Sequence, residues 1–325
     1  MALNDGKRGP DRPTARRACG AVVWRRRFHL LGGFGTAGTV APDDVGSDLW
    51  SHGDAGWTLI SSDTGPGARY PSLATRGDEL WRFGGCGWRG GAVAFEDGIW
   101  RFDDDLGRFA PVEPAGSPRP APRYTSAFFA AGDRLVVFGG NGRSETVRSI
   151  YYGDLWAFEP ASARWELLHD ETVGPGRRYG FGWAVLKGDL YLFGGFDGTS
   201  DRSDFWRLDG GTLTWTRLPD GPPERYCPAL GAADGGLALF GGRSKTRPKL
   251  NLSDTWFYDP AAGTWREVEG AGPGYHAKPG YASDGARLWV YGGEGPHGHL
   301  SDLWAYAAGG WSRLQGCRDD DPVFW

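Results

Sequence analysis

Short apolar segments recur along this chain, and each of them runs into a pair of adjacent glycines. The segments at 135–138 and 190–193 are typical, with four apolar residues directly before the glycines. Apolar runs of this length, bounded by turn residues, are typical of buried β-strands. No segment shows a long 3.6-residue period, so the chain is predicted to be all-β. The pairs are Gly32-Gly33, Gly84-Gly85, Gly139-Gly140, Gly194-Gly195, Gly241-Gly242 and Gly292-Gly293.

The spacing of the glycine pairs indicates a repeat protein. Successive pairs are separated by 47 to 55 residues. A period of this size is typical of architectures in which each unit buries its faces against its neighbours. The glycines themselves permit a tight backbone path just beyond the apolar strand.

Two aromatic positions repeat in step with the glycines. A segment with Trp two residues after Asp follows each variable loop, at 48–50, 154–156, 204–206, 254–256 and 302–304, whereas the second repeat reads Asp97-Gly98-Ile99-Trp100. A second aromatic residue stands seven or nine positions later, at Trp57, Phe109, Trp165, Trp215, Trp265 and Trp311. Eleven of the 17 tryptophans occupy these positions, so most tryptophans are predicted to lie in the core.

A segment rich in small residues precedes each apolar strand, as at 125–127, 180–182 and 229–232. One repeat therefore contains four short strands, and four-stranded units arranged radially form the blades of a propeller. The small residues are predicted to lie nearest the axis, where bulky side chains would clash. The fold is predicted to be an all-β, six-bladed β-propeller of four-stranded antiparallel blades.

In these elements the chain resembles the Kelch repeat family. The resemblance rests on the Arg-Tyr dipeptides, the glycine pairs, the Asp-Leu-Trp segments and the trailing Trp, between residues 16 and 314. It implies six propeller blades, in agreement with the strand count. The predicted organisation is a flexible basic tail at 1–15, blades at 16–60, 66–112, 120–169, 175–219, 222–269 and 274–314, and a C-terminal tail at 315–325.

Composition and charge argue against a membrane protein and against a nucleic-acid-binding protein. Many of the 55 glycines and 22 prolines stand at strand ends and turns, as an all-β fold requires. No apolar stretch approaches the roughly 18 residues that span a bilayer, and the N-terminal segment lacks an apolar signal core. We therefore expect a cytoplasmic protein with no membrane contact. The net charge of −4 and the absence of a nucleic-acid motif argue against nucleic acid as a partner.

The four cysteines, Cys19, Cys86, Cys227 and Cys317, have neither metal-ligand nor disulfide-framework spacing. Reduced thiols are expected. Whether Cys19 and Cys317 pair where the ring closes stays open at this point.

Arginines are predicted near the mouth of the central pore. The loops that lead into the inner strands share one face with the loops that follow the glycine pairs. Counting back 15 or 16 positions from each pair reaches Arg69, Arg123, Arg178 and Arg225, with His276 in the sixth repeat. Two interpretations are open: hydrogen bonding to backbone carbonyls of the adjacent blade, or a cationic ring that binds carboxylates or phosphates through bidentate contacts.

The loops after the glycine pairs add positive charge to that face. The fifth loop carries Arg243, Lys245, Arg247 and Lys249 before its first acidic residue. Such a face speeds encounter with an acidic partner. The leading hypothesis is a binding module for an acidic protein segment or an anionic small molecule. Its predicted ligand-binding residues are Arg69, Arg123, Arg178, Arg225, Arg243, Arg143, Trp88, Tyr124 and Tyr179.

A small-molecule lyase or isomerase acting at the pore mouth is the alternative. Its candidate catalytic residues are His276 and Cys227, because imidazole can activate a thiol as a nucleophile. No cofactor is expected, but the sixth repeat offers ligands for a divalent iron or zinc ion. These candidate metal ligands are His276, Glu294, His297 and His299.

Overall fold

The computed structural model describes residues 11–35, 45–89, 92–116, 118–144, 146–147, 149–245 and 251–317. These residues form 26 β-strands and no helix, so no helix that could span a bilayer occurs in the described part of the chain. Most of the predicted tails, at 1–10 and 318–325, lie outside the described residues.

The strands form six four-stranded antiparallel sheets and one additional hairpin. Blade one contains β1 (Gly20–Trp24), β2 (Arg27–Phe34), β3 (Val45–Gly53) and β4 (Gly56–Ser61). Blade two contains β5 (Ser72–Arg76), β6 (Glu79–Phe83), β9 (Ile99–Asp103) and β10 (Arg108–Val112), with the hairpin β7 (Cys86–Arg89) and β8 (Ala92–Phe95) between them. Blade three contains β11 (Ala127–Ala131), β12 (Arg134–Gly142), β13 (Ile150–Glu159) and β14 (Arg164–His169).

The remaining blades repeat the same order. Blade four contains β15 (Gly182–Leu186), β16 (Asp189–Phe193), β17 (Phe205–Leu208) and β18 (Trp215–Leu218). Blade five contains β19 (Ala229–Ala233), β20 (Gly236–Arg243), β21 (Asn251–Asp259) and β22 (Thr264–Glu267). Blade six contains β23 (Gly280–Ser283), β24 (Leu288–Gly295), β25 (Gly298–Ala307) and β26 (Gly310–Gln315). The predicted all-β, six-bladed propeller is confirmed.

Every blade takes its four strands from one repeat, so the ring closes without strand exchange between repeats. The N-terminal segment instead forms hydrogen bonds with blade six and the residue that follows it. The Tyr291 hydroxyl donates to the Pro13 carbonyl at 3.0 Å, and Arg12 Nη1 donates to the Gly316 carbonyl at 3.2 Å. Cys19 and Cys317 are free thiols, as are the other two cysteines.

The glycine pairs bend the chain at the end of each second strand. In all six pairs the first glycine has φ near +60° and the second φ near +100°, a region that L side chains rarely adopt. A Cβ on Gly84 would lie 2.5 Å from the Arg123 carbonyl oxygen of the next blade. Both the backbone conformation and this close approach therefore require glycine.

The same bend joins neighbouring blades. Gly140 N donates to the Arg178 carbonyl of the next blade at 2.9 Å, and Gly195 N donates to the Arg225 carbonyl at 2.9 Å. Gly293 N donates to the Arg16 carbonyl at 2.8 Å, which closes the ring from blade six to blade one. The second glycine of the pair thus links its blade to the next one by a backbone hydrogen bond.

The hydrophobic core is divided among the blade interfaces. Six clusters of buried side chains each contain residues of two neighbouring blades. The cluster between blades two and three contains Phe83, Phe128, Trp156 and Trp165. Stability is therefore shared among interfaces that each need two intact blades.

The repeated tryptophans differ in burial, which refines the sequence prediction. Trp50, Trp156 and Trp165 are buried, whereas Trp256 and most other members are half-buried at the edge of a cluster. Their indole rings cover the core from outside and do not lie wholly within it.

Replacing Trp156 with alanine is expected to lower the free energy of unfolding by about 3–5 kcal/mol, because a buried indole leaves a cavity. Trp256→Ala serves as the matched control, since the same repeat position is half-buried there and should cost less. Denaturant titration of both variants measures the difference. A Trp156→Ala cost below about 1 kcal/mol would contradict this account of the core.

Candidate functional site

A buried ion pair repeats at the loop end of the blades. In blade three, Arg123 Nη1 and Nη2 donate to the two Asp154 carboxylate oxygens at 2.6 and 3.0 Å. Arg123 Nη1 also donates to the Gly139 carbonyl at 3.2 Å, and Nε to the Ala121 carbonyl at 3.0 Å. Trp156 Nε1 donates to the same carboxylate at 2.7 Å. The network thus joins the glycine pair, the inner-strand entry and the Asp-x-Trp segment of one blade.

We call these contacts the repeat ion pairs. They are Arg16–Asp48, Arg123–Asp154, Arg178–Asp204 and Arg225–Asp254. Blade six uses His276, whose Nε2 lies 3.0 Å from Asp302 Oδ1 while Nδ1 lies 2.9 Å from the Gly274 carbonyl oxygen. Both imidazole nitrogens of His276 therefore have protein partners.

Blade two replaces both members of the pair. Gly84 N donates to the Gly98 carbonyl, as Gly194 N does to Asp204, so Gly98 stands at the aspartate position. Ala68 stands at the arginine position. The second strand supplies a substitute, since Arg82 Nη2 lies 3.4 Å from Glu96 Oε2, with both side chains buried. The blade keeps a buried ion pair but takes it from other residues.

The arginines that the sequence placed at the pore mouth are therefore of two kinds. Arg123, Arg178 and Arg225 are at most 1% exposed, and their guanidinium groups bind their own blade. These three arginines do donate to backbone carbonyls, but the prediction that the carbonyls belong to the adjacent blade was wrong, because they lie in the same blade as the arginine. Arg69 occupies a different position, because it bridges to Cys86 one residue beyond the ion-pair position.

The residues directly after the ion-pair positions form the pore mouth. In every blade the residue after the ion-pair position forms an antiparallel bridge with the residue that follows the glycine pair. We call these twelve residues the mouth ring. They are Arg17 with Phe34, Arg69 with Cys86, Tyr124 with Asn141, Tyr179 with Phe196, Tyr226 with Arg243, and Ala277 with Glu294.

Three cationic side chains surround one carboxylate oxygen in this ring. Glu294 Oε2 lies 2.6 Å from Arg17 Nη1, 3.6 Å from Arg243 Nη1 and 3.7 Å from Lys278 Nζ. All four side chains are between 24% and 33% exposed. One carboxylate cannot neutralise three cations, so this group retains positive charge that reaches solvent.

Arg69 extends the positive region along blade two. Its guanidinium lies 4.0 Å from the centre of the Phe34 ring, and the Arg17 guanidinium lies 5.3 Å from the same ring. The phenyl ring therefore holds two cations on the mouth by cation–π contact.

Lys278 is directed inward by an unusual backbone conformation. Its φ is +55°, and the corresponding residues of other blades, including Tyr70, Thr125 and Cys227, are also left-handed. These four side chains line a chamber of about 110 Å³ beneath the mouth. Burial lowers the pKa of Lys278, and a carboxylate beside the ammonium group favours its charged form.

Two aromatic residues separate this chamber from the lower pore. Trp183 N donates to the Tyr281 hydroxyl at 3.4 Å between blades four and six. Trp183 and Tyr281 line both the chamber and a second cavity of about 210 Å³ between the inner strands. The two cavities therefore adjoin each other at these side chains.

The other predicted ligand-binding residues have varied surroundings. The Tyr124 ring lies 5.4 Å from the rings of Tyr70 and Phe95, and Tyr179 also belongs to the mouth ring. Arg143 is exposed in the blade-three loop. Trp88 is part of β7, but its side chain lies outside what the structure describes.

The candidate residues of the enzymatic alternative have different surroundings. His276 is engaged on both nitrogens, and burial raises the pKa of Cys227 to about 11, which disfavours the reactive thiolate. Glu294 and His299 are cross-strand partners, whereas His297 is exposed. Within the described ranges, no group of three or more His, Cys, Asp or Glu side chains is placed to hold a metal ion.

The sequence pattern did not indicate Lys278 as a binding residue, and it suggested Glu294 only as a metal ligand. Lys278 stands two positions after His276, and an alignment of repeats on the ion-pair position would have placed it beside the pore. The left-handed backbone that directs it into the chamber has little signal in the sequence, since only blade four has glycine at this position and the other blades have Ala, Tyr, Thr, Cys and Lys.

Most of this chain is similar in sequence to Kelch-repeat proteins. The family model of the KLHDC2/KLHL20/DRC7 Kelch-repeats domain matches residues 71–280. Kelch domain-containing protein 3 of Rattus norvegicus is 28% identical over 283 residues, which cover 78% of this chain and 70% of that protein. Kelch domain-containing protein 10 of Homo sapiens is 34% identical over 150 residues, which cover 42% of this chain and 32% of that protein.

The repeat ion pairs predict acid lability. Burial alone would raise the pKa of Asp154 and Asp204, but the hydrogen bonds and charge of their arginines outweigh it, so both pKa values lie below 3.8. The resulting stabilisation is complete above about pH 4 and is lost as the pH falls through the lowered folded values. The melting temperature of wild type should therefore fall steeply below about pH 4. Asp204→Asn lacks one of these carboxylates, so its melting temperature should be lower at neutral pH and should fall less steeply in acid. Equal slopes in both proteins would contradict this assignment.

Proposed function

We propose, on the premise that this chain belongs to the family of Kelch-repeat propellers, that it is a protein-binding module whose pore mouth binds an acidic segment of a partner. The observation that carries the proposal is the convergence of Arg17, Arg243 and Lys278 on Glu294, with Arg69 beside them. These cations do not belong to the repeat ion pairs. They depart from the repeat, and such departures are where binding residues are expected in a repeat protein.

The extent of the positive region favours a peptide over a small molecule. Its cations come from blades one, two, five and six, so a single small anion would contact only part of it. The chamber beneath measures about 110 Å³, whereas pockets for small organic ligands measure roughly 300–1,000 Å³. An extended acidic segment can place one carboxylate against Arg243 and Lys278 and another near Arg69.

Glu294 has a defined role in this proposal. Its carboxylate occupies the space between the cations that an acidic ligand would share, so it acts as an internal competitor. Burial opposes ionisation of Glu294, but Arg17 and Lys278 outweigh it and its pKa is lowered. The same surroundings would stabilise a ligand carboxylate.

We also propose a cytoplasmic location for this binding function. The four cysteines are free thiols, and this supports a reducing compartment.

Loss of two mouth cations should weaken binding of an acidic peptide. We expect Arg243→Gln/Lys278→Gln to bind a fluorescent oligoglutamate peptide about 10-fold to 100-fold more weakly than wild type, because two charge-assisted contacts are lost. Fluorescence anisotropy at moderate and high salt measures the affinity, which should fall as salt rises. Oligoglutamine controls for contacts that do not need charge.

The matched control removes two exposed arginines elsewhere. Arg25 and Arg217 lie in the β1–β2 turn and on the outer strand of blade four, with exposures of 47% and 58%. Arg25→Gln/Arg217→Gln changes the net charge equally and should leave the affinity within about twofold, since distant exposed charges are screened. Equal loss in both double variants would contradict a site at the mouth.

Removal of the internal competitor should have the opposite effect. We expect Glu294→Gln to bind oligoglutamate more tightly, because three cations lose their shared carboxylate. Glu166→Gln, at a site that is 67% exposed on the outer strand of blade three, is the control for net charge. Unchanged or weaker binding by Glu294→Gln, in a protein with wild-type stability, would contradict the proposed role of this group.

A further inference from the structure

The ammonium group of Lys245 lies in an aromatic enclosure. Lys245 Nζ is 4.0 Å from the centre of the Phe196 ring, 4.8 Å from Tyr179 and 5.1 Å from Tyr226, and it donates to the Tyr179 hydroxyl. The Tyr151 ring stacks on Tyr179 at 5.4 Å. We call Tyr179, Phe196 and Tyr226 the aromatic cage.

The propeller does not need these rings for its fold. The positions of Phe196 in other blades are held by residues as different as Cys86, Asn141 and Glu294. Neither Tyr179 nor Phe196 is a member of the blade-interface clusters of buried residues. The cage is therefore a local feature of blades four and five, placed where the chain meets solvent.

The main chain that carries Lys245 is anchored independently of its side chain. Asp201 Oδ2 accepts from Lys245 N at 2.5 Å and from Ser244 Oγ at 2.8 Å. The lysine is exposed overall, and its long side chain has several freely rotatable bonds. The ammonium group can thus leave the cage by side-chain rotation, with the backbone held in place.

We propose that the aromatic cage is a binding subsite for the ammonium group of a lysine side chain in a partner protein, and that Lys245 is its resident competitor. Rings arranged around a cation bind it through their electron-rich faces, and such cages recognise alkylated ammonium groups. An incoming lysine exchanges one cation for another, so the cage keeps its charge balance when Lys245 rotates out.

A methylated ammonium group suits this site for a further reason. The three rings lie close to the ammonium group, and partial burial lowers the pKa of Lys245. A trimethylated lysine carries its charge permanently, has no N–H group to satisfy, and offers methyl surface to the rings. Methylated and unmodified lysine share the required chemistry, and the test below separates them.

This inference goes beyond the proposed acidic-peptide function and does not depend on it. The cage residues are distinct from Arg17, Arg69, Arg243, Lys278 and Glu294. The two proposals therefore fail separately, because oligoglutamate affinity decides the acidic site and trimethyl-lysine affinity decides the cage.

The test opens the cage by removing its occupant. Lys245→Ala and wild type are titrated with a short uncharged peptide that carries one trimethyl-lysine, and with the same peptide carrying lysine or norleucine. We expect Lys245→Ala to bind the trimethyl-lysine peptide about tenfold more tightly than wild type, with no gain for norleucine. A gain with the lysine peptide of equal size would extend the site to unmodified lysine.

Two further variants keep the test specific. Lys187→Ala removes an exposed lysine from the β15–β16 turn, outside the cage and the acidic site, and it should show no gain for the trimethyl-lysine peptide. Adding Tyr179→Ala to Lys245→Ala should abolish the gain, in a protein whose unfolding transition stays cooperative. The proposal is overturned if Lys245→Ala binds the trimethyl-lysine peptide no more tightly than wild type does, if Lys187→Ala gains as much, or if the norleucine peptide binds equally well.

Discussion

The structure depends on a buried arginine that four of the six blades bind at the same point. The guanidinium of Arg123, Arg178 or Arg225 joins the carbonyl of a glycine pair to the carboxylate of the Asp-x-Trp segment. The backbone carbonyl of each of these arginines also accepts a hydrogen bond from the preceding blade. One residue therefore fixes the bend within its blade and the spacing to its neighbour. A buried cation is costly unless it is fully paired, and here each guanidinium has a carboxylate and at least one carbonyl.

The need to pair this buried charge distinguishes the ion-pair position from the residue that follows it. The ion-pair position is filled by arginine or histidine in five blades, and in blade two the charge moves to Arg82 and Glu96, so the buried pair is kept although its residues change. The next position carries no such demand, and it varies between Arg17, Tyr124 and Ala277. Binding chemistry can change there without loss of the fold, which is why the mouth cations and the aromatic cage occur on this ring and its loops.

Most of the fold could be predicted from the sequence, because its constraints are local. Glycine pairs and Asp-x-Trp segments mark backbone bends and ion pairs that recur at a fixed spacing. The site could not be predicted to the same degree. Consecutive residues of an extended segment face opposite sides, so one position decides whether a side chain such as Arg178 is buried or a side chain such as Tyr179 faces the mouth. The inward direction of Lys278 depends on a left-handed backbone conformation, which a lysine in the sequence does not indicate.

The most direct test of this separation is to measure both stability and oligoglutamate affinity in Arg178→Gln. The account predicts that the free energy of unfolding falls by about 3–5 kcal/mol, because Asp204 is left buried without its partner. At a temperature where this variant stays folded, its affinity for oligoglutamate should remain within about twofold of wild type. Wild-type stability combined with a large loss of affinity would show that Arg178 contacts the ligand, and it would contradict the division between fold and binding positions.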